Sequence, residues 1–158
     1  FTTYKAYANA GFADLFKRPE KKGMQTLEAN NFRSVFIENR NGNLHLKPLP
    51  LELQFAPIQD FLVQDFNGDG NLDALAVGND YSTEVTIGNY AAFTGAVLWG
   101  DGRGEFTVQR GAASGFKVTG DARCLATVQH LGQQLIIVGQ NTDSLNIFQF
   151  QEEQHVAE

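Results

Sequence analysis

The residues Asp65-Phe66-Asn67-Gly68-Asp69-Gly70-Asn71-Leu72-Asp73 set oxygen-bearing side chains at alternate positions around two glycines. Three carboxylates this close repel one another unless a hard cation lies between them, and Ca²⁺ accepts six to eight oxygens from carboxylates, amides, backbone carbonyls and water. Asp65, Asn67, Asp69 and Asp73 are the expected side-chain ligands, and the backbone carbonyl of Asn71 completes the protein's share. Gly68 and Gly70 allow the positive-φ turns that fold those oxygens inward. A metal-free turn would also favour Asp, Asn and Gly, but it has no use for three acids at alternate spacing.

The twelve-residue EF-hand loop begins in the same way, then ends in a bidentate Glu and lies between helices. Here the last position is Ala76. The flanks Phe61-Leu62-Val63 and Leu75-Ala76-Val77 are short apolar runs of strand type. The loop is therefore expected to join two strands.

The elements around it recur. Val35 to Leu44 matches Val97 to Phe106, with Gly42 over Gly104, and Ala76-Val77-Gly78-Asn79 matches Ile137-Val138-Gly139-Gln140. Both anchors give nearly the same period, which argues for a repeated β unit of about four strands, the size of a propeller blade with a long loop. With blade strands named A to D, the expected strands are C 33–39, D 43–48, A 58–65, B 72–79, C 95–100, D 104–110, A 122–129, B 133–140 and C 144–150. The acidic loop is the A–B turn of the complete blade. The matching turn of the last blade, His130-Leu131-Gly132-Gln133, has no carboxylate and is expected to hold no metal. Asn41-Gly42 and Asp101-Gly102 are hairpin signals, so Asp101 reads as a turn residue.

Residues 1–31 look different. Tyr4, Tyr7, Phe12, Leu15 and Phe16 recur at helical spacing, Pro19 interrupts, and Met24 and Leu27 resume. The pattern predicts two short helices that bury their apolar faces against the sheets. The same aromatic spacing could instead line a ligand site. Residues 32–150 form the blades, partial, complete and partial, and 151–158 a polar tail, within a single domain overall.

Composition narrows the function. A length of 158 residues suits about one domain. A net charge of −6 argues against nucleic acid, and Lys17-Arg18 with Lys21-Lys22 read as a solvated helix face. One cysteine, Cys124, excludes an intrachain disulfide, and its strand neighbours predict a buried, inert thiol. No apolar run is long enough to span a membrane as a helix. The chain begins at Phe1, which suggests a piece of something longer.

The chain resembles the carboxyl-terminal part of the FG-GAP/VCBS-repeat β-propeller proteins of the ASPIC/UnbV-associated type, whose acidic calcium loops are similar to those of integrin α-subunit propellers. The likeness rests on Phe1-Thr2-Thr3-Tyr4 with Tyr7-Ala8, on Leu27-Glu28-Ala29-Asn30, and on Ser34 to Asn39. It continues through Leu49-Pro50, Gln54 to Pro57, Asp65 to Asp73, Gly78-Asn79, Gly95 to Phe106 and Gly120-Asp121-Ala122-Arg123. It covers nearly the whole chain. The resemblance implies calcium at Asp65, Asn67, Asp69, Asn71 through its backbone, and Asp73. It also implies an extracytoplasmic, often surface-attached, non-catalytic protein for binding or scaffolding. Asn67 stands where many such loops have Asp, which implies a weaker site.

Motifs for catalysis are missing. His45, His130 and His155 pair with no nucleophile, and no Gly-x-Ser-x-Gly, Cys-x-x-Cys or His-Glu-x-x-His run occurs. A carboxylate-based hydrolase or lyase using Asp80 and Glu84 is the alternative reading, and a purely structural ring-closing segment is a third. Long loops on a rigid scaffold concentrate function. Asp80, Tyr81, Glu84, Asn89 and Tyr90 are therefore the candidate contacts for a glycan or protein ligand, on the same face as residues 3–30 and opposite the calcium. Nine strands cannot close a ring of four-stranded blades. The edge at 144–150 is expected to drive self-association rather than pair with the polar tail.

Overall fold

The computed structural model describes residues 1–16 and 21–150. They fall into two compact units, Phe1–Phe32 and residues from Arg33 onward. In the first unit, helix α1 spans Tyr4–Ala8 and α2 spans Phe12–Leu15. Thr3 Oγ1 accepts the Ala6 N–H, and the Asp14 carboxylate reaches back to the Gly11 N–H, so each helix has a local start signal. The break falls at Gly11, and residues 24–30 are not helical, which corrects the expectation of a helix resuming at Met24. Runs this short have little cooperativity of their own. Neither helix buries a residue: Tyr4, Tyr7, Phe12 and Leu15 stay exposed, with Phe1 edge-on to Tyr7 and Lys21 over the Phe12 ring. The expected Pro19 interruption and the 151–158 tail lie outside the described residues.

The second unit is mainly β, and its described residues form nine strands close to the expected positions. They are β1 Val35–Arg40, β2 Asn43–Pro48, β3 Ile58–Gln64, β4 Asp73–Gly78, β5 Ala96–Gly100, β6 Phe106–Arg110, β7 Ala122–His130, β8 Gln133–Gln140 and β9 Asn146–Gln149. They make three antiparallel sheets in chain order: β1-β2, β3-β4-β5-β6 and β7-β8-β9. A four-residue helix, α3 (Gly111–Ser114), and a 3₁₀ turn at Leu51–Gln54 complete it. No described helix is long and apolar enough to cross a membrane.

The turns explain the hairpins. Asn41-Gly42 and Leu131-Gly132 both take positive φ, the two-residue geometry whose twist matches the strands it joins. Strand β4 shows how the sheets stack, because every one of its residues is buried. Leu75 and Val77 face a core shared with Ile136 and Val138 of the third sheet. Ala74 and Ala76 face the opposite way, onto Leu53, Phe93 and Leu98. The Phe36 ring of the first sheet meets Phe106 of the second edge-on at 5.5 Å. The middle sheet is thus covered on both faces, which is why β4 after Asp73 reads as an unbroken apolar run, Ala74 to Val77.

A β-bulge recurs at the same place in two sheets. Pairing of β3 with β4 slips between Ile58 and Asp60, and pairing of β7 with β8 slips between Ala122 and Cys124. Gly78 and Gly139 face these irregularities. An added Cβ on Gly78 would lie 2.2 Å from the Pro57 carbonyl oxygen, so no side chain fits there.

Candidate functional site

The acidic loop joins β3 to β4 in the four-stranded sheet, between strands as the flanks predict. Its oxygens are gathered by its own backbone. The Asp65 carboxylate accepts the N–H groups of Gly68 at 2.8 Å and Gly70 at 2.9 Å. The Asn67 amide oxygen accepts the Asp69 N–H at 3.0 Å, and Asp69 accepts the Asn71 N–H at 2.7 Å and the Asn67 amide at 3.2 Å. Gly68 (φ 75) and Gly70 (φ 85) take the left-handed backbone this curl requires. The Asn71 N–H, first among the causes, lowers the pKa of Asp69, with help from the Asn67 and Asn71 side-chain amides.

Asp73 differs from the other three. It is fully buried, and its two oxygens accept the N–H of Phe66 at 3.0 Å and of Gly100 at 2.9 Å. It ties the loop's second residue to the end of β5, so it has a structural task whether or not a metal is bound.

The donors suit calcium in kind. All are oxygens, and a carboxylate oxygen that accepts one N–H keeps a second lone pair. Among the described residues no three acidic, imidazole or thiol groups converge as a ready cluster. A cation here would need the Asn67 amide oxygen and the Asn71 carbonyl beside Asp65, Asp69 and Asp73. Asp101, expected as a turn residue, takes that part: one oxygen accepts the N–H groups of Arg103 and Glu105.

The 80–94 connection links β4 to β5. Asp80 and Tyr90 pair through two backbone hydrogen bonds of 2.9 Å and close the loop at its base. Beyond them the Glu84 backbone carbonyl accepts the Ile87 N–H at 2.9 Å, and Tyr81, Val85, Ile87, Asn89 and Tyr90 are exposed together with Glu84. Asp80 is tied down: its carboxylate accepts the Ser82 N–H and an Arg123 N–H, both at 2.9 Å. The Ser82 N–H, and after it the Arg123 guanidinium, hold its pKa below the usual carboxylate range.

Four residues matter here to which sequence reasoning gave no role, Asn79, Asp121, Arg123 and Asn141. Arg123, in the bulge of β7, also binds the buried Asp121 carboxylate at 2.7 Å, and Asn141 donates to Asp121 at 3.1 Å. The hydrogen bonds that Arg123 donates to Asp121, and then to Asp80, raise its pKa. Asn79 is buried with φ 89; its amide donates to the carbonyls of Phe93 and Gly120 at 2.8 Å and accepts the Phe93 N–H at 3.0 Å. Asn after the glycine of a repeated strand end was the available signal for a left-handed polar corner. Cys124 is exposed, which corrects the buried thiol; the bulge before it turns its side chain to the outer face of β7, over Gly139. His45 and His130 are exposed, on β2 and at the end of β7.

Comparison of the chain with protein-family models, curated proteins and solved structures gives no match in any of the three.

Proposed function

We propose that the chain is a calcium-stabilised segment of a β-propeller that serves recognition or scaffolding outside the cytoplasm, through a glycan or protein ligand. The loop Asp65–Asp73 carries this reading: Asp65, Asn67 and Asp69 hold their oxygens on loop N–H groups between two strands of a sheet. Ca²⁺ would be coordinated there by Asp65, Asn67, Asp69, the Asn71 carbonyl and Asp73, and would offset the mutual repulsion of the three carboxylates.

The propeller part is supported by the stacking of consecutive antiparallel sheets and by the outward faces of the stack. Ile37, Leu44 and Leu46 are exposed on the face of β1-β2 turned away from the second sheet, and Val128 and Ile147 on the far face of the third. Contiguous exposed apolar faces of this kind suit further packed sheets. The 80–94 lobe, with Tyr81 and Tyr90 exposed beside Glu84 and Asn89, suits a ligand that stacks on rings and both donates and accepts hydrogen bonds.

Thermal melts in excess calcium and in chelator test the metal. A free calcium level a hundredfold above the dissociation constant stabilises by about 2.7 kcal/mol, and Asp69→Ala should remove most of that gain. Coincident melts of the unmutated protein refute the calcium reading. A glycan array probed with and without Ca²⁺ tests recognition.

A further inference from the structure

Asparagine followed by glycine is a reactive pair, because glycine has no side chain to keep its backbone nitrogen away from the preceding side-chain amide. The chain holds two such pairs, Asn41-Gly42 and Asn67-Gly68. All four residues are exposed, and a Cβ added to either glycine would meet nothing within 4 Å. Their surroundings set the two pairs apart.

In the acidic loop, each atom of Asn67-Gly68 that would react already has a fitting partner. The Gly68 N–H, whose nitrogen is the nucleophile, donates to Asp65 Oδ1 at 2.8 Å, so an acceptor sits on the proton that must leave. The Asn67 amide oxygen, which gathers charge when its carbon is attacked, accepts the Asp69 N–H at 3.0 Å. The Asn67 amide nitrogen, the leaving group, donates to Asp69 Oδ2 at 3.2 Å. At the other pair, the Gly42 N–H donates to the neutral amide oxygen of Asn39 at 2.8 Å. Asn41 itself takes φ 53 inside the two-residue turn of β1 and β2, and ring closure there would disturb the Arg40–Asn43 pairing that holds the turn.

We propose that Asn67 is a self-modification site, where the Gly68 nitrogen attacks the Asn67 side-chain carbonyl carbon and expels the amide nitrogen as ammonia. The new bond is Gly68 N to Asn67 Cγ, and the bond broken is Cγ to Nδ2. The proton of the Gly68 N–H leaves by way of Asp65 and ends on the ammonia. Water then opens the five-membered imide at one of its two carbonyls, so position 67 carries a carboxylate in place of an amide. Either product adds a negative charge and removes the amide that donates to Asp69 Oδ2. Two carboxylates then face each other where an amide met one, and the loop's demand for a cation rises. That last consequence rests on the calcium reading above; the modification does not.

The test holds the full chain folded at neutral pH in chelator and follows both pairs by peptide mass mapping. A positioned base alone contributes about 10²–10⁴-fold, so Asn67 should convert to the acid at least about tenfold faster than Asn41. In urea the two rates should converge, because the hydrogen bonds that distinguish them are gone. Asp65→Asn, with the fold checked by circular dichroism, should slow conversion at Asn67 at least about threefold and leave Asn41 unchanged. Conversion of Asn41 as fast as Asn67 in the folded chain overturns the proposal. So does an unchanged ratio in urea, a rate that Asp65→Asn leaves untouched, or an Asn67 that stays intact while the urea-unfolded chain converts. Calcium titration of fresh and converted protein separates the two readings: conversion with no calcium bound by either form upholds the modification and sinks the metal site.

Discussion

Replacing Asp73 separates the structural part of the acidic loop from its metal part. Its carboxylate is fully buried and holds two backbone N–H groups, Phe66 at 3.0 Å and Gly100 at 2.9 Å, seven residues away along the chain in one direction and on another strand in the other. A hydrogen bond to a charged partner contributes about 1.5–3 kcal/mol, and a buried N–H left without an acceptor adds a desolvation cost of its own. The Gly100 N–H is only half-buried and can recruit water. Asp73→Ala should therefore cost about 3–5 kcal/mol. Asp73→Asn keeps one acceptor and turns an amide NH₂ against the other N–H, and should cost about 1.5–3 kcal/mol. Urea unfolding in chelator, followed by Trp99 emission, removes calcium from the comparison. With a slope of about 2 kcal/mol/M, the alanine variant should unfold at a midpoint about 1.5–2.5 M lower, with the slope itself unchanged. Midpoints within about 0.5 M of the unmutated protein would refute the anchoring role and, with it, the account of how the loop is held to the sheet.

Asn79→Ala removes three side-chain hydrogen bonds from a buried corner, at about 1 kcal/mol each, and leaves alanine at φ 89; a loss of about 3 kcal/mol or more in equilibrium unfolding is expected. Gly78→Ala and Gly68→Ala should rank far apart, because the first drives a methyl into the Pro57 carbonyl whereas the second meets open space and costs only its left-handed backbone, about 1–2 kcal/mol. Urea midpoints of the pair check that order. For Asp80 the depressed pKa means that its stabilising contacts are complete above the unfolded value of about 3.9 and are lost as pH falls through the lower folded value. An NMR titration should place its midpoint below about 3.9, and Arg123→Met should move it upward; a midpoint at or above the ordinary value counts against the ion pair.

Much of the second unit was legible in the chain because its signals are local. Alternating apolar runs and the Asn41-Gly42 and Leu131-Gly132 turns act within a few residues, so the strands of all three sheets could be read close to their ends. The acidic loop was legible for the same reason: Asp65, Asn67 and Asp69 satisfy backbone groups two to five residues away. The helical spacing of residues 3–30 misled in part, since a period without a buried face leaves only two helices of five and four residues, broken at Gly11, and revives none at Met24. Only the tertiary structure decided what depends on residues far apart in sequence. The burial of Asp73 on the end of β5, the ion pair of Arg123 with Asp80, and the contact of the Phe66 and Phe150 rings all arise from packing across 27 to 84 residues of chain, where pattern along the sequence carries no distance information.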